Sequence, residues 1–364
     1  MKSASPFPFA LAFLVAYLPA VVFALCLWMA GNVGNSLWLA LLPALFLYFV
    51  MPPLDYLLGR DTLNPSSASQ AALKNSKLLK ALPVMTLPLQ ATLLFGSAAW
   101  LSSLPDISWV HWVVWAISLG VVGGVTAINP AHELIHRNSR LERGAGGALL
   151  SLVAYPSFKI EHIRGHHVNV ATPLDNSTAK RGQSVYAFVP VAIFKNLRSA
   201  WQFERKRLAH QRLPVWHWRN ELLGWWLLTA AIALLMLVCF GVYGLAFFLL
   251  QSLVAIVELE AINYIEHYGL LRKQLANGRY EPPNENHSWD SSFLLSNLML
   301  FQLQRHADHH AHPGRPYPLL RHCPGSPQLP GGYASMLLLA LFPPLWRRVI
   351  HPRLQRYCAK TLTT

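Results

Sequence analysis

Six apolar runs, each at or near the length of a membrane crossing, constrain this chain more than any other feature. A helix needs about 20 apolar residues to cross a hydrocarbon layer of ~30 Å, because lipid offers no partner to a free backbone N–H or C=O. The runs lie near 8–31, 36–52, 82–104, 110–128, 222–240 and 243–259. With 53% apolar and only 13% charged residues among 364, the chain lacks the polar surface of a water-soluble domain. The first run follows Lys2 but exceeds the apolar segment of a secretory leader, so it is expected to be a retained span. The expected fold class is all-α, a polytopic helix bundle with about six transmembrane helices. No internal repeat or Gly/Ser linker divides it, so one domain over 1–364 is expected, with a cytoplasmic histidine-rich cap from 129–221 and 260–364.

Charge orients the spans. The connections Asn32 to Asn35, Ser102 to Ser108 and Gly241 to Gly244 carry no Lys or Arg, whereas Arg137 to Glu221 carries fourteen against five Asp/Glu. By the positive-inside rule the former are outer turns, and both termini and both long connections are cytoplasmic, at a bacterial-type inner membrane. Met336 to Ile350 is short and interrupted by Pro343 and Pro344, which predicts an interfacial helix rather than a seventh span. The formal charge of +14 comes without basic blocks interleaved with aromatics, so nucleic acid is excluded and membrane lipid or an acidic protein is the expected partner. Arg205, Lys206 and Arg207 are the candidate docking residues for such a protein. The four cysteines are far apart, without a Cys-x-x-Cys pair, and carry neither fold nor chemistry.

Histidines cluster just beyond the cytoplasmic ends of the spans. His132 and His136 are four apart and share one helical face; His162, His166 and His167 offer ligands in two directions; His306, His309 and His310 line one helical side; His267 follows the sixth run. Nine imidazoles exceed what one octahedral ion accepts, so two metals are the economical count. His-Glu-x-x-His at 132–136 also occurs in zinc proteases, and imidazole alone suits zinc, copper, nickel or iron. A bundle of apolar helices beside so many ligands favours a redox pair, two irons, acting with dioxygen on an apolar substrate. Glu133, Glu161, Glu266, Asp308 and His312 stand next to ligands and are expected to receive hydrogen bonds from the outward ring nitrogens. Gly123 and Gly124 in the fourth span either thin the wall above the first box or allow close helix packing. A metal-ion transporter or sensor is the competing class, and it is disfavoured by spans almost free of ionisable groups.

The boxes resemble those of the integral-membrane alkane hydroxylases (alkane 1-monooxygenases), near the xylene and cymene methyl hydroxylases, within the fatty-acid desaturase and hydroxylase group. The resemblance is carried by Asn263-Tyr-Ile-Glu-His267-Tyr-Gly-Leu-Leu-Arg272, by Leu303 to Pro313, by Gly165 to Pro173, by His287-Ser-Trp289 and by Gln328 to Tyr333, and extends from about Asp55 to Pro352. It implies hydroxylation of a terminal or methyl carbon by dioxygen at a non-haem di-iron centre held by the nine histidines. It also implies electrons from rubredoxin, served by a rubredoxin reductase, and a hydrophobic small-molecule substrate. Asn129-Pro-Ala before the first box and Asp175-Asn-Ser-Thr after the second depart from the family pattern and bear on substrate class. An aromatic methyl hydroxylase and a membrane acyl-chain desaturase are the alternatives.

Overall fold

A computed structural model describes residues 6–362; among them helices carry nearly all regular structure, with isolated backbone bridges and no strand. Lys2 lies outside the described residues. Among the described residues, five continuous helical elements are long and apolar enough to cross a membrane: Phe7–Val33, Leu37–Leu58, Lys77–Ser103, Trp109–Ile135 and Glu221–His267. Their outward faces stay greasy, with Leu14, Leu25, Trp28, Leu42 and Val238 exposed, while Phe23, Leu94, Trp115 and Phe248 pack the interior. Water would penalise such a surface; lipid does not.

The last element has 47 residues and would be about 70 Å long if straight. It is not straight. Glu221, at its start, pairs with Lys159 at 2.6 Å, and His267, at its end, lies 4.7 Å ring to ring from His166. Both ends therefore meet one short stretch of chain, so the element doubles back. The reversal is at Gly241, with φ 66° and ψ −164°, a backbone region open essentially to glycine alone. A Cβ on Gly244 would stand 2.7 Å from the Met236 carbonyl oxygen, which shows how closely the arms meet. The element is thus the fifth and sixth apolar runs folded into a hairpin at the turn expected between them.

The three turns without Lys or Arg gather at one end of the bundle. His111 Nε2 lies 2.9 Å from the Asn35 carbonyl, Trp115 Nε1 donates to Asn35 Oδ1 at 3.2 Å, and Trp112 stacks on Tyr243 at 6.1 Å. All the histidine boxes lie at the other end.

Prolines deform the spans where the chemistry sits. A proline offers no N–H to the carbonyl four residues before it, so the ladder upstream loosens. Before Pro52 and Pro53 the stretch Phe46–Val50 widens to an i→i+5 turn, and before Pro130 the stretch Gly124–Ile128 does the same. Such wide turns cluster at functional sites. At the C-terminal end the expectation of one interfacial helix is corrected. Tyr333–Ala340 and Pro343–Leu362 are separate helices, with Tyr333, Met336, Leu337 and Ala340 buried and Trp346 packed on Tyr264 and Tyr268. The proline pair breaks the helix, and the apolar face of the first piece finds protein rather than headgroups.

Gly241→Ala forces a side chain into the glycine-only bend and is expected to cost about 1–3 kcal/mol, read as a lowered unfolding midpoint in detergent. Gly224→Ala, in the same element with no atom within 4 Å of the added Cβ, is the matched control and should not lower it.

Candidate metal centre

The first box closes the fourth span: Trp109–Ile135 carries His132, and His136 caps its end. The second box is built differently. Ser157–Glu161 continues into a wide i→i+5 turn at His162–His166, in which the His167 N–H reaches the His162 carbonyl. One turn of this geometry spans five residues, so His162 comes into register with His167 and not with His166. His267 ends the hairpin, and His306, His309 and His310 stand on the short helix His306–Ala311.

The nine rings fall into two groups, His132, His136, His162, His167 and His309 in one, His166, His267, His306 and His310 in the other, with candidate ligand atoms within 4.8 Å of one another in each. The four-residue steps predicted from sequence hold within the first box and for His306 and His310. The second box divides between the groups, as does the third, where His309 joins the first group. All nine imidazoles meet at one place.

The Nε2 atoms of His136 and His162 are 3.1 Å apart, those of His162 and His167 3.0 Å, and those of His167 and His309 3.1 Å. In the second group His306 Nε2 stands 3.1 Å from that of His267 and 3.0 Å from that of His310. A ring nitrogen has a single in-plane site, either a proton or a lone pair, so His162, His167 and His306 cannot satisfy two ring neighbours through hydrogen bonds. A central cation can: imidazole nitrogens bound at ~2.1 Å and at right angles stand about 3.0 Å apart. His132 Nε2 and His166 Nε2 are buried without a hydrogen-bond partner, as donors awaiting a metal would be. Burial, and then the neighbouring imidazoles, hold His136, His162, His167, His306, His309 and His310 well below the ordinary imidazole range. They are therefore neutral at pH 7, the form that ligates. The residues fit two metal ions held mainly by nitrogen.

Two of the outward nitrogens, those of His166 and His267, are held by groups that sequence reasoning mostly missed, whereas Nδ1 of His162, His167, His306 and His310 is buried without a hydrogen-bond partner. His166 Nδ1 lies 3.0 and 3.1 Å from the two oxygens of Asp175. Burial alone would raise the Asp175 carboxyl, but the His166 ring and the Thr178 hydroxyl hold it below its usual range. Asp175 is nine residues past the ligand in an irregular loop, and no spacing rule joins them. His267 Nδ1 is 3.3 Å from the His287 carbonyl, within the His-Ser-Trp motif.

The five neighbours expected to accept from ring N–H groups are placed otherwise. Glu133 pairs with Arg137 at 3.3 Å and accepts from the Tyr317 amide. Asp308 pairs with Arg315 and accepts from the Arg321 amide at 3.0 Å, while His312 is half-exposed beside it. Glu161 accepts from Asn176 at 3.4 Å. Four of these side chains thus tie the cap together. Glu266 is the exception, and it faces inward: its Oε2 is 3.2 Å from His306 Nε2, the side on which the rings converge.

A cavity with about 890 Å³ of empty space, part of it open to the outside, runs from this centre into the bundle. His132, Asn129 and Glu266 line its polar end, and Leu47, Met51, Val125, Ile128, Leu259 and Leu337 much of its wall. Gly124 lines it too, whereas Gly123 packs near Gln90 and Val153, so the two glycines divide the roles expected of them. Of the candidate docking residues, Arg205 and Lys206 are exposed, but Arg207 is bound to Glu204 at 2.7 and 2.8 Å and to the Arg219 carbonyl.

The chain is similar to known proteins over most of its length. A family model described as fatty acid desaturase matches residues 107–340. Alkane 1-monooxygenase 2 of Pseudomonas aeruginosa is 46% identical, over 91% of this chain and 88% of its own length. Alkane 1-monooxygenase 2 of Alcanivorax borkumensis is 44% identical over 86% and 82%. The xylene/toluene monooxygenase hydroxylase component XylM of Pseudomonas putida is 30% identical over 66% and 65%.

Two variants test the centre through metal content of the purified protein. His309→Ala should leave membrane insertion intact and remove metal from the first group. Asp175→Ala, which strips the outward partner from His166, should weaken metal retention about 10–100-fold; unchanged retention in both would refute the assignment.

Proposed function

This chain belongs to the alkane 1-monooxygenase family, within the fatty acid desaturase group, and on that premise we propose that it is a membrane di-iron monooxygenase converting a hydrocarbon to a primary alcohol. The reaction places one atom of dioxygen on a terminal or methyl carbon and releases the other as water. The whole chain acts as one membrane-embedded catalytic unit in a bacterial inner membrane, with both termini cytoplasmic. The observation that carries the reading is the cavity, apolar along most of its wall and ending on His132 and Glu266.

The nine histidines would hold the irons, and the irons would supply the dioxygen reduction and C–H oxidation that no side chain performs. The protein does the rest. Leu47, Met51, Val125, Ile128 and Leu337 dissolve the alkyl chain and exclude water, which protects a strong oxidant from quenching. Asn129 Nδ2 is buried without a hydrogen-bond partner at the reacting end and can donate to a new hydroxyl, while Glu266, beside the Tyr333 hydroxyl, can accept from it. The wide turn at Gly124–Ile128 sets the register of His132 against the wall beside it. Electrons come from an acidic carrier protein, rubredoxin, through the cytoplasmic cap, where Arg205 and Lys206 are free to meet it.

Aromatic methyl hydroxylation is the second reading, favoured by the similarity to XylM. Full-length enzyme given octane, hexadecane, xylene, cymene and a long-chain acyl substrate, with products scored by carbon position, separates the two. Primary alcohols from the alkanes and two irons per chain are expected; a double bond in an acyl chain with no alcohol would overturn the proposal. Arg205→Ser with Lys206→Ser should raise KM for rubredoxin with little change in kcat, more so at low salt; an effect independent of salt would remove the docking site.

A further inference from the structure

The spans are not entirely free of ionisable groups: Glu258 lies in the sixth apolar run, two turns of helix before Glu266. A carboxyl group at membrane depth is costly and marks function by default, with its partner to be named. The partner is Tyr48 of the second span, whose hydroxyl donates to Glu258 Oε1. Both line the cavity. Glu258 Oε2 is buried and has no hydrogen-bond partner. It fits against Gly124, where any Cβ would collide with it, so the wide turn beginning at that glycine makes room for the carboxyl group.

Glu258, Ile262 and Glu266 form an i, i+4, i+8 stripe along one wall. Eight residues at 1.5 Å each place Glu258 about 12 Å from Glu266. Asp55, Asn263, Ser296 and Tyr333 add polar atoms to the lining, but Asp55 already accepts from the Ser296 amide and Asn263 donates to Glu260, so the dyad offers a buried carboxyl oxygen about two helical turns from the reacting end. A plain alkane has nothing to offer the dyad. A hydroxyl does: it both donates and accepts, so it pairs with Oε2 whether the carboxyl is ionised or protonated.

We propose that Tyr48 and Glu258 form a subsite for a hydroxyl group at the far end of the substrate, so that the enzyme also takes medium-chain 1-alkanols and hydroxylates their free methyl end to give α,ω-diols. The step is the alkane reaction on a second substrate class. One C–H bond of the methyl group breaks and a C–O bond forms, the other oxygen atom leaves as water, and two electrons from the same carrier protein and two protons complete the balance. The proposal rests on the hydroxylase reading above, and its failure is separable from the failure of that reading.

The test is a competition in cells expressing the full chain with its electron carriers: octane, decane and dodecane, each paired with the corresponding deuterium-labelled 1-alkanol. The readout is the ratio of labelled diol to unlabelled alcohol, which cancels differences in expression and metal loading. Wild type should form diol. Glu258→Leu should lower the ratio about tenfold, Tyr48→Phe should lower it less, and Glu258→Gln, whose amide still donates and accepts, should restore most of it. Alcohol from the alkanes with no diol from the 1-alkanols, or a ratio unmoved by Glu258→Leu, would overturn the subsite alone. No product from either substrate in wild type would overturn the hydroxylase reading and this one with it.

Discussion

Bare nitrogen lone pairs are poorly tolerated away from water, yet this protein gathers nine imidazoles side by side at one end of an apolar bundle and buries seven of them. Their mutual spacing of about 3 Å leaves several nitrogens with two ring neighbours and one bonding site, a conflict that a shared cation resolves. The rest of the architecture serves that convergence. The hairpin at Gly241 returns His267 to the end where the other boxes lie, the short helix His306–Ala311 feeds both groups, and Asp175 and the His287 carbonyl hold rings from outside. A bound cation would couple metal binding to folding, since the cap is assembled from stretches far apart in the chain that it would hold together.

Wide helical turns link this centre to the cavity. At Gly124–Ile128 the turn precedes Pro130 and the first box; at Phe46–Val50 it precedes Pro52 and carries Tyr48; at His162–His166 it divides the second box between the groups. The first two follow from the missing proline N–H, the third from no proline at all. The surrounding contacts favour it: Glu161 and Phe203 press on Gly165, where even a Cβ would not fit. Small departures from the regular helix thus position both the ligands and the polar dyad in the wall.

Much of the fold was legible because membrane crossing is a one-dimensional constraint. Length and hydropathy identify the six runs, the Lys/Arg-free turns pair them at one end, and glycine at 241 marks the bend. The nine histidines were legible as a set, since their boxes fall at the same depth. Other features were not. The carboxylates beside the ligands looked like their hydrogen-bond partners, but Glu133 and Asp308 are claimed by Arg137 and Arg315, because an arginine within reach competes for the same oxygens. Asp175 lies in a loop whose path no periodicity encodes, and Glu258 passed unremarked inside runs read as almost free of charge.

Composition and spacing by themselves determined that the chain crosses a membrane as helices, which ends of those helices carry the histidines, and that there are enough of them to serve two ions. Those properties depend on residue type and local period, which are written along the chain. Which ring joins which group, which acid faces a ring and which a guanidinium, and where a cavity opens were decided only in three dimensions. Each depends on the meeting of helices separated by tens to hundreds of residues, and a one-residue change in register at His162–His166 would exchange the partners.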